Sequence, residues 1–281
     1  MIKKLLYFIS PLYPLVFLAC LGLIIVSWLI EEPLPDPENI DTRLHVEPIQ
    51  KPTNKAQFNV SVGGVEYYIK PLYTYELYGL VVSMHTAGKI FSDRAHRRWG
   101  DHINTADLCV IWGKNALSGI FTEMKFTSGQ WTCFWNAKNG DWHSVANKFD
   151  NNQISNNHML VADSQIARTL NSIRIGDQIH FKGYLAEYGT VERMIRSTST
   201  TRTDTGNGAC ETVFTTEISI IKGIDRTWWF LPWLGFTGLV ILFTLWCFTP
   251  TRRIYEYEKA STSYDEHEDN SLYARQRRRR K

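Results

Sequence analysis

The sequence predicts two transmembrane helices flanking a mostly β (α+β) exported domain, which we expect to be a small barrel or a sandwich. Three observations predict this class. Two apolar blocks without a charge, residues 5–30 and 228–248, lie near the two ends of the 281-residue chain. Short runs between them alternate apolar and polar residues, as half-buried strands do. One run, beginning at Ser164, instead has apolar residues at helical spacing.

Both apolar blocks are long enough to cross a membrane, because about 20 residues at 1.5 Å each span ~30 Å of hydrocarbon. The first block is longer than the apolar part of a cleaved signal peptide. Residues 21–30 stay apolar after Cys20, which follows a lipoprotein-like segment, so the chain is not expected to leave the bilayer there. We therefore predict an uncleaved anchor.

Flanking charge predicts the orientation. Lys3 and Lys4 precede the first block, whereas Arg252 and Arg253 follow the second. Because basic residues favour the cytoplasmic side, residues 1–4 and the charged, disordered tail 249–281 are expected in the cytoplasm. The protein is then predicted in the inner (plasma) membrane, with residues 31–227 periplasmic or extracellular.

Charge also limits the partners. The segment 31–227 holds slightly more acidic than basic residues, and a nucleic-acid partner is therefore not expected. The tail instead ends in a basic run, Arg275–Lys281, for which two interpretations stay open. It could attract anionic lipid headgroups, or it could be a solvated end without a role.

The exported segment is predicted to consist of a linker followed by a folded domain. Proline-rich residues 31–56 predict an extended linker, and residues 57–221 the β-rich domain. Residues 57–70 predict a hairpin that turns at Gly63-Gly64, continued by strand-like sequence to Met84. Residues 85–106 are expected to be a polar surface loop.

Further elements follow from local pattern. Asp107–Gly113 and Gln130–Trp135 predict short strands, and Ser164 is expected to cap a helix that runs to about Ile173. After Gly176-Asp177, alternating residues from Ile179 predict another strand. A small, polar loop over residues 197–208 then leads to a last strand, 210–221.

Three cysteines lie in the exported segment, where disulfides persist. If the segments Asp107–Gly113 and Gln130–Trp135 pair antiparallel, Cys109 and Cys133 stand opposite each other, and we predict that they form a disulfide. Cys210 is then left over, and it is expected to be buried. A Cys133–Cys210 bond and a fully reduced domain remain alternatives.

Catalytic residue types are densest around His158. With Asn157, Asp163, Arg202 and Asp204 it could form a hydrolase or lyase site in which His158 is the general base. The alternative is that Asn157 and His158 organise a loop before the helix. Asp204 opens a tripeptide found in aspartic proteases, but it follows a polar run, which favours a turn. The histidines lack metal-site spacing, so no metal and no cofactor are expected.

Three segments carry a resemblance to a known group of proteins: Ser155-Asn156-Asn157-His158, Gly176–Leu185 (GDQIHFKGYL) and Thr201–Glu211 (TRTDTGNGACE). Together they resemble an uncharacterised family of bacterial membrane-anchored proteins. The resemblance covers about residues 105–221. It implies a bacterial source and an exported domain, and no activity or functional residue carries over from it. A Gly-Asp turn entering an alternating strand is also common in five-stranded nucleic-acid-type barrels.

The sequence favours a non-enzymatic function. No nucleophile lies in a recognisable elbow, so we expect an exported interaction or structural domain that contacts membrane lipid, envelope proteins or itself. One alternative is a membrane-tethered enzyme with a polar site around His158. Another is a sensor that couples the exported domain to the cytoplasmic tail.

Overall fold

A computed structural model describes residues 2–29, 34–86, 101–129, 131–201, 204, 210–226, 230–257 and 260–261. The chain forms two compact units, residues 1–31 with 225–281 and residues 32–224. The helices are α1 (Ile2–Ile9), α2 (Tyr13–Leu29), α3 (Gly113–Leu117), α4 (Ser164–Ser172) and α5 (Leu231–Phe248). The strands are β1 (Ile49–Pro52), β2 (Phe58–Val62), β3 (Val65–Thr86), β4 (Asn104–Ile111), β5 (Met124–Ser128), β6 (Cys133–Ala137), β7 (Ile154–Leu160), β8 (Gln178–Gly189), β9 (Met194–Arg196) and β10 (Glu211–Lys222).

The first unit contains two helical segments, Leu5–Ser27 and Leu231–Phe248, that are long and apolar enough to cross a membrane. They pack against each other through small residues. A Cβ atom on Gly235 would lie 2.7 Å from the backbone oxygen of Cys20, so the glycine is what allows this close approach. The Tyr13 hydroxyl also lies 2.9 Å from Thr249 Oγ1.

The second unit is a mostly β domain built around β3. This strand of 22 residues pairs antiparallel with β4 and, over Tyr68–Leu80, with β8. β4 pairs with β7, and β10 lies between β7 and β8, parallel to the first and antiparallel to the second. The pairings therefore run in a closed ring, β3-β4-β7-β10-β8-β3.

Alternation along the ring strands gives the sheet an inner and an outer face. The largest cluster of buried apolar side chains lies on the inner face and includes Leu77, Leu108, Met159, Phe181 and Val213. These residues come from five different strands, which is why the ring, rather than any one hairpin, encloses the main core.

The first predicted hairpin is confirmed. β2 and β3 pair from Phe58↔Ile69 to Val62↔Val65, and Gly63 and Gly64 both have positive φ (62° and 80°). A two-residue turn with two positive φ angles matches the twist of the flanking strands, so glycine is favoured at both positions.

The linker prediction is wrong from residue 34 onward. Leu44 has no exposed surface and packs in a second cluster with Leu80 and Ile111, and Ile40 packs against the same cluster. β1 also adds to the sheet by pairing with β3. Prolines in this segment therefore shape a covering layer of the domain and do not indicate a free tether.

The disulfide prediction is confirmed, although the strand pairing used to reach it is wrong. Cys109 and Cys133 are bonded, with Cα atoms 6.0 Å apart. β4 does not pair with the Cys133 segment; it pairs with β3 and β7, whereas β6 pairs with β5 in a separate two-stranded sheet. The disulfide thus joins the β5–β6 hairpin to the outer face of β4.

Two further boundaries differ from the prediction. The cap of α4 is Asp163, whose carboxylate accepts hydrogen bonds from the amides of Gln165 (2.6 Å) and Ile166 (3.1 Å), so Ser164 is the first helical residue. In the predicted loop 85–106, the two ends belong to β3 and β4, and residues 87–100 lie outside the described part.

Candidate functional site

One row of polar and sulfur-bearing side chains follows the outer face of the ring. Asp107 pairs with His158, and Cys109 with Asn156, across β4 and β7. Glu211 pairs with Asn157, so Cys210, one residue earlier, comes next to Asn156. We call these five residues, Asp107, Cys109, Asn156, His158 and Cys210, the outer β4–β7 site.

A buried His–Asp pair lies at the centre of this site. His158 Nδ1 is 2.5 Å from Asp107 Oδ1, and the two side chains are 0% and 3% exposed. Asp107 Oδ1 also accepts a hydrogen bond from Asn104 Nδ2 at 3.1 Å. The carboxylate therefore fixes the orientation of the imidazole, as the third member of a catalytic triad does.

The pair changes the titration of the imidazole. Burial by itself lowers the pKa of His158, but hydrogen bonds with Asp107 and Cys210 and the charge of Asp107 outweigh it. The net pKa of His158 is raised, so its charged form is favoured. Arg196 opposes this, because its positive charge lowers the same pKa.

Cys210 lies just before β10, on the side of His158 away from Asp107. Its thiol is free and partly exposed, which corrects the expectation that it would be buried. Sγ accepts from Asn156 Nδ2 and donates to the backbone oxygen of Trp131, both at 3.6 Å. His158 Nε2 makes no hydrogen bond of standard geometry to any residue that the structure describes, and the Cys210 side chain nevertheless favours the charged ring.

Trp131 covers the site from the β5–β6 connection. Its ring centroid lies 6.1 Å from that of His158, and its backbone oxygen accepts a bond from Asn156 Nδ2 at 3.2 Å. The guanidinium of Arg196, at the end of β9, lies 5.2 Å from the Trp131 ring centroid, within the range of a cation–π contact. The site is thus enclosed by an aromatic ring and a cation.

A second buried polar group adjoins this pair. The hydroxyl of Tyr188 on β8 donates to Asp101 Oδ2 at 2.7 Å. Burial and the nearby Asp101 carboxylate raise the pKa of Tyr188 well above its usual value, so the phenol stays protonated. Asp101 also accepts a bond from the amide of Asn104 at 3.4 Å, which links the two polar groups through the start of β4.

Most of the residues that the sequence predicts to form one site with His158 lie apart from it in the structure. Asn157 and His158 are adjacent on strand β7, not in a loop, so their side chains point to opposite faces. Asn157 Nδ2 donates to Ser155 Oγ at 2.8 Å and to the oxygen of Leu108 at 3.3 Å. Asp163 is occupied as the helix cap.

The described part of the last loop, residues 197–201 and 204, contributes no member of the site. Asp204 is exposed, and its Oδ2 lies 2.6 Å from the Ser199 hydroxyl. An exposed carboxylate bound by serine does not share a proton with a second buried carboxylate, so the aspartic-protease match is accidental. Arg202 lies outside the described residues.

The residue pattern around His158 includes Asn156 but does not indicate Asp107, Cys210, Trp131 or Arg196 as members of the site. Asp107 opens an apolar strand, and its position predicts only a strand boundary. Residues 155–158 are an unbroken polar run between Ile154 and Met159, so no alternation in the sequence indicates which of these side chains share a face. Only the register of β4 against β7 brings Asp107 to His158.

Among the residues that the structure describes, no three histidine, cysteine or carboxylate side chains are grouped as metal ligands would be. The chain matches no protein-family model, no curated protein and no solved structure. The site is therefore interpreted from its geometry.

Proposed function

We propose that this chain is a double-anchored membrane protein whose residues 31–227 form an exported binding domain. Two helices long and apolar enough to span a membrane support this, as do the basic residues outside each span. The Cys109–Cys133 disulfide fits an oxidising compartment. Both termini are then cytoplasmic.

We further infer that the domain is a small five-stranded barrel of the oligonucleotide/oligosaccharide-binding (OB) type. The ring strands in chain order are β3, β4, β7, β8 and β10, and around the ring they run first, second, third, fifth, fourth. The third and fifth strands are parallel, and α4 lies between the third and fourth. OB barrels bind their ligands on the face of the second and third strands, which here are β4 and β7. In this domain the β5–β6 hairpin is bonded to that face and both strands are buried, so the accessible surface is that of the hairpin and its neighbours.

Exposed apolar side chains beside this face carry the proposal of a protein partner. Phe134 is 58% exposed, Met194 58% and Val191 91%, and they lie in the two segments joined by the Arg196–Trp131 contact. Exposed apolar side chains in segments that also carry arginine and tryptophan are typical of protein interfaces. The partner is an exported envelope protein or a second copy of this chain.

Photo-cross-linking tests this proposal. A photoreactive phenylalanine analogue at Phe134 should yield one discrete adduct in intact cells, and the same analogue at Met194 should yield the same one. The control position is Ile49, which is 40% exposed on β1, a strand that does not pair with β4 or β7. An adduct of twice the protomer mass identifies self-association. Identical products at all three positions, or none at Phe134, would contradict the binding face.

Reporter fusions test the orientation separately. Fusions after Glu38 and after Arg226 should be active only as exported reporters, and a fusion after Lys281 only as a cytoplasmic one. An exported reporter that is active after Lys281 would overturn the topology.

A membrane-tethered enzyme is the second candidate, and one observation favours it. His158, oriented by Asp107 and beside the thiol of Cys210, has the relation of base to nucleophile that covalent catalysis uses.

A further inference from the structure

Three exported cysteines converge on the outer β4–β7 site. Cys109 and Cys210 occupy the same row on either side of Asn156, with β7 between them. Cys133 is bonded to Cys109 from the hairpin above, and the Cys210 thiol contacts the backbone of Trp131, two residues before Cys133. A free thiol is thus placed beside a disulfide.

Strand spacing determines which cysteine Cys210 can reach. Adjacent strands lie about 4.8 Å apart, so Cys109 and Cys210 are separated by roughly 10 Å of backbone. A disulfide requires Cα atoms within about 7 Å, so these two cannot bond without moving a ring strand. Cys133 lies on the β5–β6 hairpin, which is not part of the ring, so only it can change partner without opening the ring.

The surroundings of Cys210 suit a reacting thiol. Asp107 holds the His158 ring at Nδ1, Nε2 lacks a standard partner, and the Cys210 side chain interacts with the same ring. Asn156 Nδ2 donates to Sγ, which stabilises negative charge on the sulfur. Asp107, Arg196 and Cys210 are the ionisable groups that act on His158.

We propose that Cys210, His158 and Asp107 form a thiol–disulfide exchange centre whose substrate is the Cys109–Cys133 disulfide. In the reacting form the Cys210 proton is held by His158, so that a thiolate lies beside a charged imidazole, and this thiolate attacks Cys133 Sγ. A Cys133–Cys210 bond forms as the Cys109–Cys133 bond breaks, and Cys109 leaves as a thiolate that takes up the proton. One disulfide replaces another, so neither an oxidant nor a reductant is consumed. This activity goes beyond partner binding and does not depend on it.

A pair of cysteine variants tests the geometry in full-length protein in detergent. Cys109→Ser retains Cys133 and Cys210, and mild oxidation with glutathione disulfide should link them. Cys133→Ser retains Cys109 and Cys210 and is the matched control, in which the ring strands should prevent a bond. Peptide mapping without reduction identifies the links. No Cys133–Cys210 peptide in the first variant, or a Cys109–Cys210 peptide in the second, would overturn the proposal.

Alkylation of the protein with its disulfide intact tests the activation. The rate of iodoacetamide labelling at Cys210, followed by peptide mass, should fall roughly three- to thirtyfold at pH 7 in His158→Gln, since an ordinary thiol is only a few per cent ionised there. At about pH 9.5, where ordinary thiols are ionised, the rates should converge. Asp107→Asn should also lower the rate of Cys210 labelling at pH 7.

A purely structural role predicts a different pH profile. It would change the labelling rate equally at both pH values, and that result, or an unchanged rate at pH 7, would refute activation by His158. Loss of the photo-cross-link at Phe134 with exchange intact would instead refute only the proposed partner binding, because the exchange is measured in the purified protein.

Discussion

Replacing Leu44 with alanine tests whether the segment before the first hairpin belongs to the folded domain. Leu44 has no exposed surface and packs against Leu80 and Ile111 of the ring strands. A Leu→Ala change at a fully buried position costs about 2–5 kcal/mol of unfolding free energy, from lost burial and the cavity that remains.

The expected change in melting temperature follows from the size of the domain. For about 150–250 residues, each kcal/mol lowers Tm by ~2–4 °C, so Leu44→Ala should lower it by roughly 4–20 °C. Tryptophan fluorescence of the full-length protein in detergent follows the transition. Leu117→Ala is the control, because Leu117 is 41% exposed and the same atoms are removed; its Tm should change by less than about 3 °C.

Equal, small shifts in both variants would refute the reasoning. Leu44 would then detach from the domain without loss of the core, and residues 34–56 would behave as the tether that their proline content predicts.

Three other predictions follow from single features. Asp163→Ala should cost about 1 kcal/mol through loss of the α4 cap, whereas Ser164→Ala should be nearly neutral; urea denaturation of both variants decides, and the reverse order would restore Ser164 as the cap. Reducing the Cys109–Cys133 disulfide should lower the unfolding free energy by about 3 kcal/mol, measured by melting with and without dithiothreitol, and coincident melts would show that the bond does not constrain the unfolded chain. His158 has a raised pKa, so its protonation stabilises the fold below its unfolded value of about 6.5, and this is lost as pH rises through the folded pKa. The Tm difference between wild type and His158→Gln should therefore shrink from pH 5 to pH 9, and a difference that grows with pH would have the wrong sign.

Local sequence patterns predict correctly those elements that depend only on residues close together in the chain. The β2–β3 hairpin needs only alternation and two turn glycines, and the helix after Asp163 needs only helical spacing and a cap. The strands beginning near Ile179 and Cys210 were found for the same reason. Each of these depends on residues close together in sequence.

The errors concern contacts between distant parts of the chain. Residues 34–56 look like a linker because proline dominates them, and only the distant side chains of Leu80 and Ile111 explain why Leu44 is buried. The Cys109–Cys133 bond was assigned from a strand pairing that does not exist, because a hairpin packed on a sheet can bring two cysteines together as well as two paired strands can. The sequence predicts His158 as a site residue. It does not predict Asp107, because only the register of β4 against β7 shows that Asp107 lies beside His158.

The position of β10 in the ring determines when the domain can be completed during synthesis. β10 fills the gap between β7 and β8, yet it is the last strand that the structure describes, and the apolar helix from Leu231 follows soon after it. Until residue 222 has been made, β7 and β8 have unpaired edges, which invite aggregation and attack by proteases. A chain whose synthesis stops before β10 therefore differs from a finished one in its open strand edges, and proteases would remove it selectively.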